Sequence, residues 1–188
     1  LITLLLFHAA FTYSLFLKVI GGLNPITFFK KMKDVILFAF STSSSAATIP
    51  VTLKTANQDL GVNQNVASFV VPVGATINMD GTAIMQGLAT VFIAQMSGID
   101  LTLFQYMQVV LLAVATSIGT AAVPSAGTIT LIIILQQFNL PLEAIGIILA
   151  VDRVLDMIRT SVNVTGDAAI ACIVAKTENQ LDENIFNS

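Results

Sequence analysis

The chain has 188 residues, of which 55% are hydrophobic and 10% charged, with a net charge of -3 and a mean hydropathy of +0.87. An ordinary soluble domain carries about 25% charged residues, so this composition excludes a soluble globular fold, and the negative balance leaves no basic footprint for nucleic acid. One cysteine, Cys172, and one histidine, His8, exclude a disulfide framework and a Cys/His metal cluster; both are expected to be packing residues. Leu1 opens inside an apolar run with no basic leader or small-residue cleavage site, so the sequence reads as part of a longer protein.

In chain order, residues 1–20 form an apolar run, and about 20 such residues cross roughly 30 Å of hydrocarbon. Residues 1–33 are therefore predicted to be a transmembrane helix and a cytoplasmic link, broken at Gly21 and Gly22 and marked as internal by Lys30, Lys31 and Lys33. Within residues 34–65 the apolar piece 35–40 is too short to cross. It meets a small, polar stretch that ends at Pro50, then returns to Lys54, which predicts a re-entrant hairpin opening to the cytoplasm. Residues 66–100 are apolar but interrupted by Asn78, Asp80, Gly81 and Thr82, so an interrupted transmembrane helix is expected.

Within residues 101–140 the stretch 103–138 runs for roughly 36 residues, about 54 Å as one helix, which is too long for one crossing and too short for two. Small residues from Ser117 to Gly127 divide them, predicting a second re-entrant hairpin that opens outward. Residues 141–178 read as a final transmembrane helix that carries the binding groups, and residues 179–188 as a cytoplasmic tail. Lys18, Lys30, Lys31, Lys33, Lys54 and Lys176 all then fall at inner ends. The fold class is all-α integral membrane, with two re-entrant hairpins, each followed by an interrupted helix, in an inverted repeat.

The final helix carries the chemistry. On a 3.6-residue period Asp152, Asp156, Arg159, Thr160, Asn163 and Asp167 share roughly one 100° face of an otherwise apolar helix. Ionisable groups at membrane depth cost several kcal/mol each, so such a face marks a substrate or ion path; the plain alternative is an Asp156–Arg159 pair that only holds helices together. Arg159 can grip a carboxylate two-pronged, Asp156 can take an ammonium, and the Asn163 amide can serve a second carboxylate. Together these describe an acidic amino acid. Asp80 and Asp167 lie in NMDGT and NVTGD, where glycine permits unwinding and freed carbonyls could join a carboxylate around a small hard cation. Setting Asp80, Asp152, Asp156 and Asp167 against Arg153 and Arg159 leaves a deficit of about two positive charges for cations or protons to fill, which amounts to symport. Ser43, Ser44 and Ser45 could cap a half-helix whose N–H groups favour an anion.

SSSAATIP, NMDGTA, GTAAVPSAGTITL and DRVLDMIRTSVNVTGDA, in that order, resemble the glutamate transporter family, the dicarboxylate/amino acid:cation symporters. The resemblance implies the C-terminal transport-domain half of a sodium-coupled symporter that imports glutamate or aspartate by an elevator motion against a trimeric scaffold. It implies a bacterial cytoplasmic (inner) membrane location with the C-terminus inside. It further implies that Asp156 holds the substrate ammonium, Arg159 the side-chain carboxylate and Asn163 the main carboxylate, with Thr82, Thr160, Ser43, Ser44, Ser45, Val123 and Gly127 completing the pocket. Sodium ligands would be Asp167 with carbonyls of Gly74, Asn78 and Asn163. Asp80 and the Asn78 side chain would serve a second ion, and Thr76, Met79, Ser117, Ile118 and Thr120 a third. The second hairpin would be the extracellular gate.

Arginines that relatives place at the positions of Ser43 or Met157 are absent, leaving Arg153 as a candidate to balance Asp156; Gln86, where potassium-coupled relatives carry glutamate, argues against potassium antiport. The scaffold helices are absent, so this piece alone is not expected to transport. The alternatives are a proton-coupled glutamate/aspartate or C4-dicarboxylate symporter, a channel, and, from another class, an intramembrane aspartyl protease with Asp80 and Asp167 as its dyad.

Overall fold

The computed structural model describes all of residues 1–188. The chain is all-α: α1 (Ile2–Val19), α2 (Pro25–Thr42), α3 (Ser45–Gln58), α4 (Gln64–Ile77), α5 (Asp80–Met96), α6 (Leu103–Ile118), α7 (Ala126–Gln137), α8 (Ile145–Thr177) and α9 (Glu183–Asn187). By length and composition α1 can cross a membrane. Its middle, His8–Tyr13, widens into a π-helical turn, a local irregularity that re-aims side chains and is often found at functional sites.

Two helical hairpins dominate. In the first, Asn24 caps α2 by accepting the Ile26 N–H at 2.9 Å, with Pro25 supplying the pre-set φ of a first helical residue. The helix therefore starts at Pro25, and Lys30, Lys31 and Lys33 lie on its first arm rather than on a separate link. At 18 residues that arm is about 27 Å long, not the short piece expected from residues 35–40. Ser43, at φ 51°, turns the chain, and Ser44 caps α3 by accepting the Ala47 N–H at 3.2 Å. The second hairpin pairs α6 with α7 across residues 119–125, and Ser125 again takes a left-handed φ of 60°. The two tips meet: the Ala46 N–H and the Ser44 hydroxyl both donate to the Ala122 carbonyl, at 3.2 and 2.9 Å.

The break expected after residue 66 falls at Asn78 and Met79, which separate α4 from α5. The second expected break is absent, because α8 runs unbroken for 33 residues through Gly166. Its glycine serves proximity instead. A Cβ at Gly166 would lie 2.5 Å from Asn78 Nδ2 and 2.7 Å from the Tyr13 hydroxyl, so the missing side chain lets α1 and the α4–α5 break press against α8.

Apolar packing divides into two cores. One joins α1 to α4 with the C-terminal half of α8, around Leu17, Phe28, Met32, Val71 and Cys172; the other joins α5, α7 and the start of α8, around Met85, Ile93, Leu131, Leu135 and Ile145. The polar stretch of α8 from Asp152 to Asp167 spans the junction. The tail also folds. Val62 bridges Leu181, Lys31 donates to the Asp59 carbonyl at 2.9 Å and to the Ile185 carbonyl, Lys176 pairs with Glu183, and Phe186 is wholly buried in the first core. Outward faces stay apolar, with Leu103, Phe104, Met107 and Leu111 of α6 exposed, an arrangement that is costly in water.

Candidate binding and ion site

The α8 stripe exists as the helical period dictates, and its members are buried: Asp152, Asp156, Arg159, Thr160, Asn163 and Asp167. Arg159, 1% exposed, donates through Nη2 to Asp152 Oδ1 at 3.0 Å and to Asp156 Oδ1 at 2.8 Å. The internal ion pair is thus real, yet it leaves Arg159 Nε, Arg159 Nη1 and Asp152 Oδ2 buried without partners. Buried unpaired charge of that kind is costly. Arg153 is exposed and contributes nothing to the cluster, so the expected balancing of Asp156 by Arg153 does not occur. Buried Asp152, Asp156 and Asp167 face one buried guanidinium, which leaves the same deficit of two positive charges as the sequence count.

Each hairpin tip reaches this cluster. From the second, the Ser125 N–H donates to Asp156 Oδ2 at 2.8 Å and the Thr128 hydroxyl to Asp152 Oδ1 at 2.6 Å. Gly127 is needed where it stands, since a Cβ would lie 2.7 Å from Thr82 Cγ2. Between the tips is a tight polar crevice of about 10 Å³, closed down to roughly the size of one water, lined by Ser43, Ser45, Val123, Gly127, Asp156, Thr160, Asn163 and Thr82, together with Met79 and Thr120 of the expected ion set. Ser44 is occupied in capping and in bonding Ala122. Ser43 Oγ, by contrast, is buried with no partner. The N-termini of α3, α5 and α7 converge here, adding positive potential suited to an anion. Arg159 does not line the cavity; its guanidinium lies against Asp152 and Asp156, with Nη1 3.7 Å from where a Gly127 Cβ would be.

Deeper on the stripe, Asn78 Nδ2 donates to the Asn163 carbonyl at 3.2 Å and to Asp167 Oδ1 at 2.9 Å. Gly74 is in van der Waals range of the same carboxylate, because a Cβ there would sit 2.6 Å from Asp167 Oδ1. Gly74, Asn78, Asn163 and Asp167 therefore do meet, as an oxygen-rich set that suits a hard cation; no group of three or more His, Cys, Asp or Glu converges in a way that would suit zinc. The Asn78 amide turns to Asp167 and not to Asp80. Asp80 instead accepts from the Tyr13 hydroxyl at 3.2 Å and faces His8 Nε2 at 3.1 Å. His8, expected to be a packing residue, is thus part of the polar site. Of the third set, Met79, Ser117 and Thr120 are buried, whereas Thr76 and Ile118 are exposed and the Thr76 hydroxyl donates to the Val73 carbonyl at 2.9 Å.

Sequence reasoning left out Tyr13, Thr128 and the role of Gln86. Gln86 is fully buried and clasps both arms of the second hairpin. Its amide donates to the Gly127 carbonyl at 3.0 Å and the Thr130 hydroxyl at 2.7 Å, and its oxygen accepts from Thr116 at 2.9 Å. A glutamine inside an apolar helix is itself a signal that such partners exist.

Residues 1–177 match the sodium:dicarboxylate symporter family, and the chain belongs to that family. It is 45% identical over 170 residues to human excitatory amino acid transporter 2, 44% identical over 167 residues to an excitatory amino acid transporter of Caenorhabditis elegans, and 43% identical over 171 residues to human excitatory amino acid transporter 5. These alignments cover 89 to 91% of this chain but 30 to 33% of each relative, so the chain spans about a third of the length of the relatives it matches. The family consists of transporters, not enzymes. The protease alternative falls with it, and Asp80 and Asp167 each engage other partners instead of one another.

Proposed function

We propose that the chain is the substrate-binding part of a secondary active symporter that imports glutamate or aspartate together with sodium ions. The observation that carries this reading is the buried Arg159 with two unpartnered nitrogens, set beside Asp156, Asn163 and a polar cavity. In a water-poor site an unmatched guanidinium edge calls for an anion, and Asp156 calls for a cation on the same ligand. A C4-dicarboxylate would set a second anion against Asp156, so the amino acid is the better fit. The relatives named excitatory amino acid transporters support the same substrate class.

Sodium is the second cargo. Asp167 with the carbonyls of Gly74, Asn78 and Asn163 forms one ion site, Asp80 with Tyr13 beside it a second, and Met79, Ser117 and Thr120 part of a third. The helical hairpins are re-entrant. Lysines at the end of the bundle that carries the tail support a cytoplasmic position for that end and for the C-terminus. Exposed apolar faces of α1 and α6 meet lipid or the remaining helices of a trimeric scaffold, against which this part moves as an elevator.

The test is uptake of radiolabelled aspartate and glutamate by the full-length protein in proteoliposomes with sodium and proton gradients imposed separately. Uptake driven by sodium alone is expected; uptake driven by protons without sodium decides for proton coupling. Asp167→Asn should weaken the sodium dependence more than the choice between substrates, and an unaltered sodium titration removes Asp167 from the ion site.

A further inference from the structure

Arg159 presents a geometric problem that the functional reading leaves open. A guanidinium holds a carboxylate two-pronged either end-on, through Nη1 and Nη2, or side-on, through Nε and Nη2. Both grips draw on Nη2. That nitrogen has two hydrogens, and both are engaged, one by Asp152 Oδ1 at 3.0 Å and one by Asp156 Oδ1 at 2.8 Å. A substrate carboxylate can take a two-pronged hold only when one of them lets go. Asp156 is required for the ammonium, so Asp152 is the group that must yield.

We infer that Thr128 is the positioning residue that keeps Asp152 able to yield, an inference that rests on the acidic-substrate reading above. Thr128 lies in the first turn of α7, buried, and its hydroxyl donates to Asp152 Oδ1 at 2.6 Å. Asp152 therefore meets Arg159 through one oxygen that it already shares, while its Oδ2 stays buried without a partner, as do Arg159 Nε and Nη1. In a low-dielectric setting an unpaired carboxylate oxygen and unpaired guanidinium nitrogens attract strongly. The Thr128 hydroxyl, anchored on the second hairpin, holds the carboxylate at an angle that prevents them from closing. Without it Asp152 rotates to offer both oxygens, forms the two-pronged pair itself and shuts the substrate out. Thr128 also ties this exchange to the hairpin: as α7 moves, the restraint on Asp152 moves with it.

The test is transport kinetics in proteoliposomes of the full-length protein. Thr128→Val, which keeps the volume and removes the hydroxyl, should raise KM for aspartate and glutamate roughly ten-fold, the order expected for losing one hydrogen bond to a charged group, with Vmax little changed. Thr128→Ala removes the same hydroxyl with a smaller side chain and is read the same way, and Thr128→Ser should restore the low KM. In an Asp152→Asn background, where the side chain can no longer form a two-pronged anion, Thr128→Val should add nothing further. An unchanged KM in both Val and Ala variants, failure of Ser to restore it, or an undiminished penalty on the Asn background overturns the inference alone. A wild type that takes up neither acidic amino acid overturns the substrate reading and this inference with it.

Discussion

The two hairpins have the same outline but are held by different forces. The first is fixed at its base by apolar burial: Phe28, Met32, Val35 and Ala39 of α2 face the core of α8, and Phe186 of the folded tail closes the open end while Lys31 donates to the carbonyls of Asp59 and Ile185. The second also buries apolar side chains, Leu131, Ile134 and Leu135 of α7, but its tip is tied to the site by hydrogen bonds: Gln86 to Gly127, Thr116 and Thr130, Ser125 to Asp156, and Thr128 to Asp152. Its first arm leaves Leu103, Phe104, Met107 and Leu111 exposed. Apolar burial is lost only with the contact itself, whereas a ligand or water can replace a hydrogen bond almost isoenergetically. On the function proposed above, the difference would make the first hairpin a fixed wall and the second the element that a substrate releases or holds.

The largest expected effect comes where both hairpins converge. Arg159→Ala in the full-length protein should abolish uptake of aspartate and glutamate, a loss of at least about 100-fold for a buried charge-assisted contact, with membrane insertion intact. Unchanged aspartate affinity in that variant removes Arg159 from the pocket. Next, Phe186→Ala should cost about 3–5 kcal/mol, read as a lower unfolding midpoint in detergent, with KM for aspartate unchanged because the first hairpin is only a wall. A shift in KM without loss of stability would reverse the roles assigned to the hairpins. Smallest is Gln86→Leu, which removes the clasp at about 1–3 kcal/mol, while the Gly127 carbonyl and the Thr116 and Thr130 hydroxyls keep partners within their own hairpin. Hydrogen exchange should speed up around residues 119–130 and stay unchanged around residues 43–48; equal change in both tips would erase the contrast.

What the sequence made legible follows from periodicity and from the cost of polar groups in an apolar run. The α8 stripe is readable because six polar side chains at helical spacing share one face whatever the surroundings, and all six are buried. The break at Asn78 and Met79 is readable because polar residues interrupt a run too long for one crossing. Gly166 is the counter-case. The same signal marks no break there, because Tyr13 and Asn78 use the space of the missing Cβ and the α-helical bonds survive. Two other features needed the fold. His8 and Tyr13 reach Asp80 from 72 and 67 residues away through a π-helical turn that no periodicity announces. The tail reads as polar, yet one phenylalanine, Phe186, is enough to dock it. The start of α2 was signalled by Asn24 and Pro25, and the lysines that read as a link lie on its first arm.

The central claim is that an acidic amino acid sits between the two tips, on Arg159, Asp156 and Asn163. A structure of the full-length protein with aspartate and sodium tests it most directly. The account predicts the side-chain carboxylate on Arg159 with Asp152 displaced from Nη2, the ammonium on Asp156, and the second hairpin shifted more than the first. Aspartate bound elsewhere, or bound with the Asp152–Arg159 contact intact and both carboxylates away from the guanidinium, would contradict it.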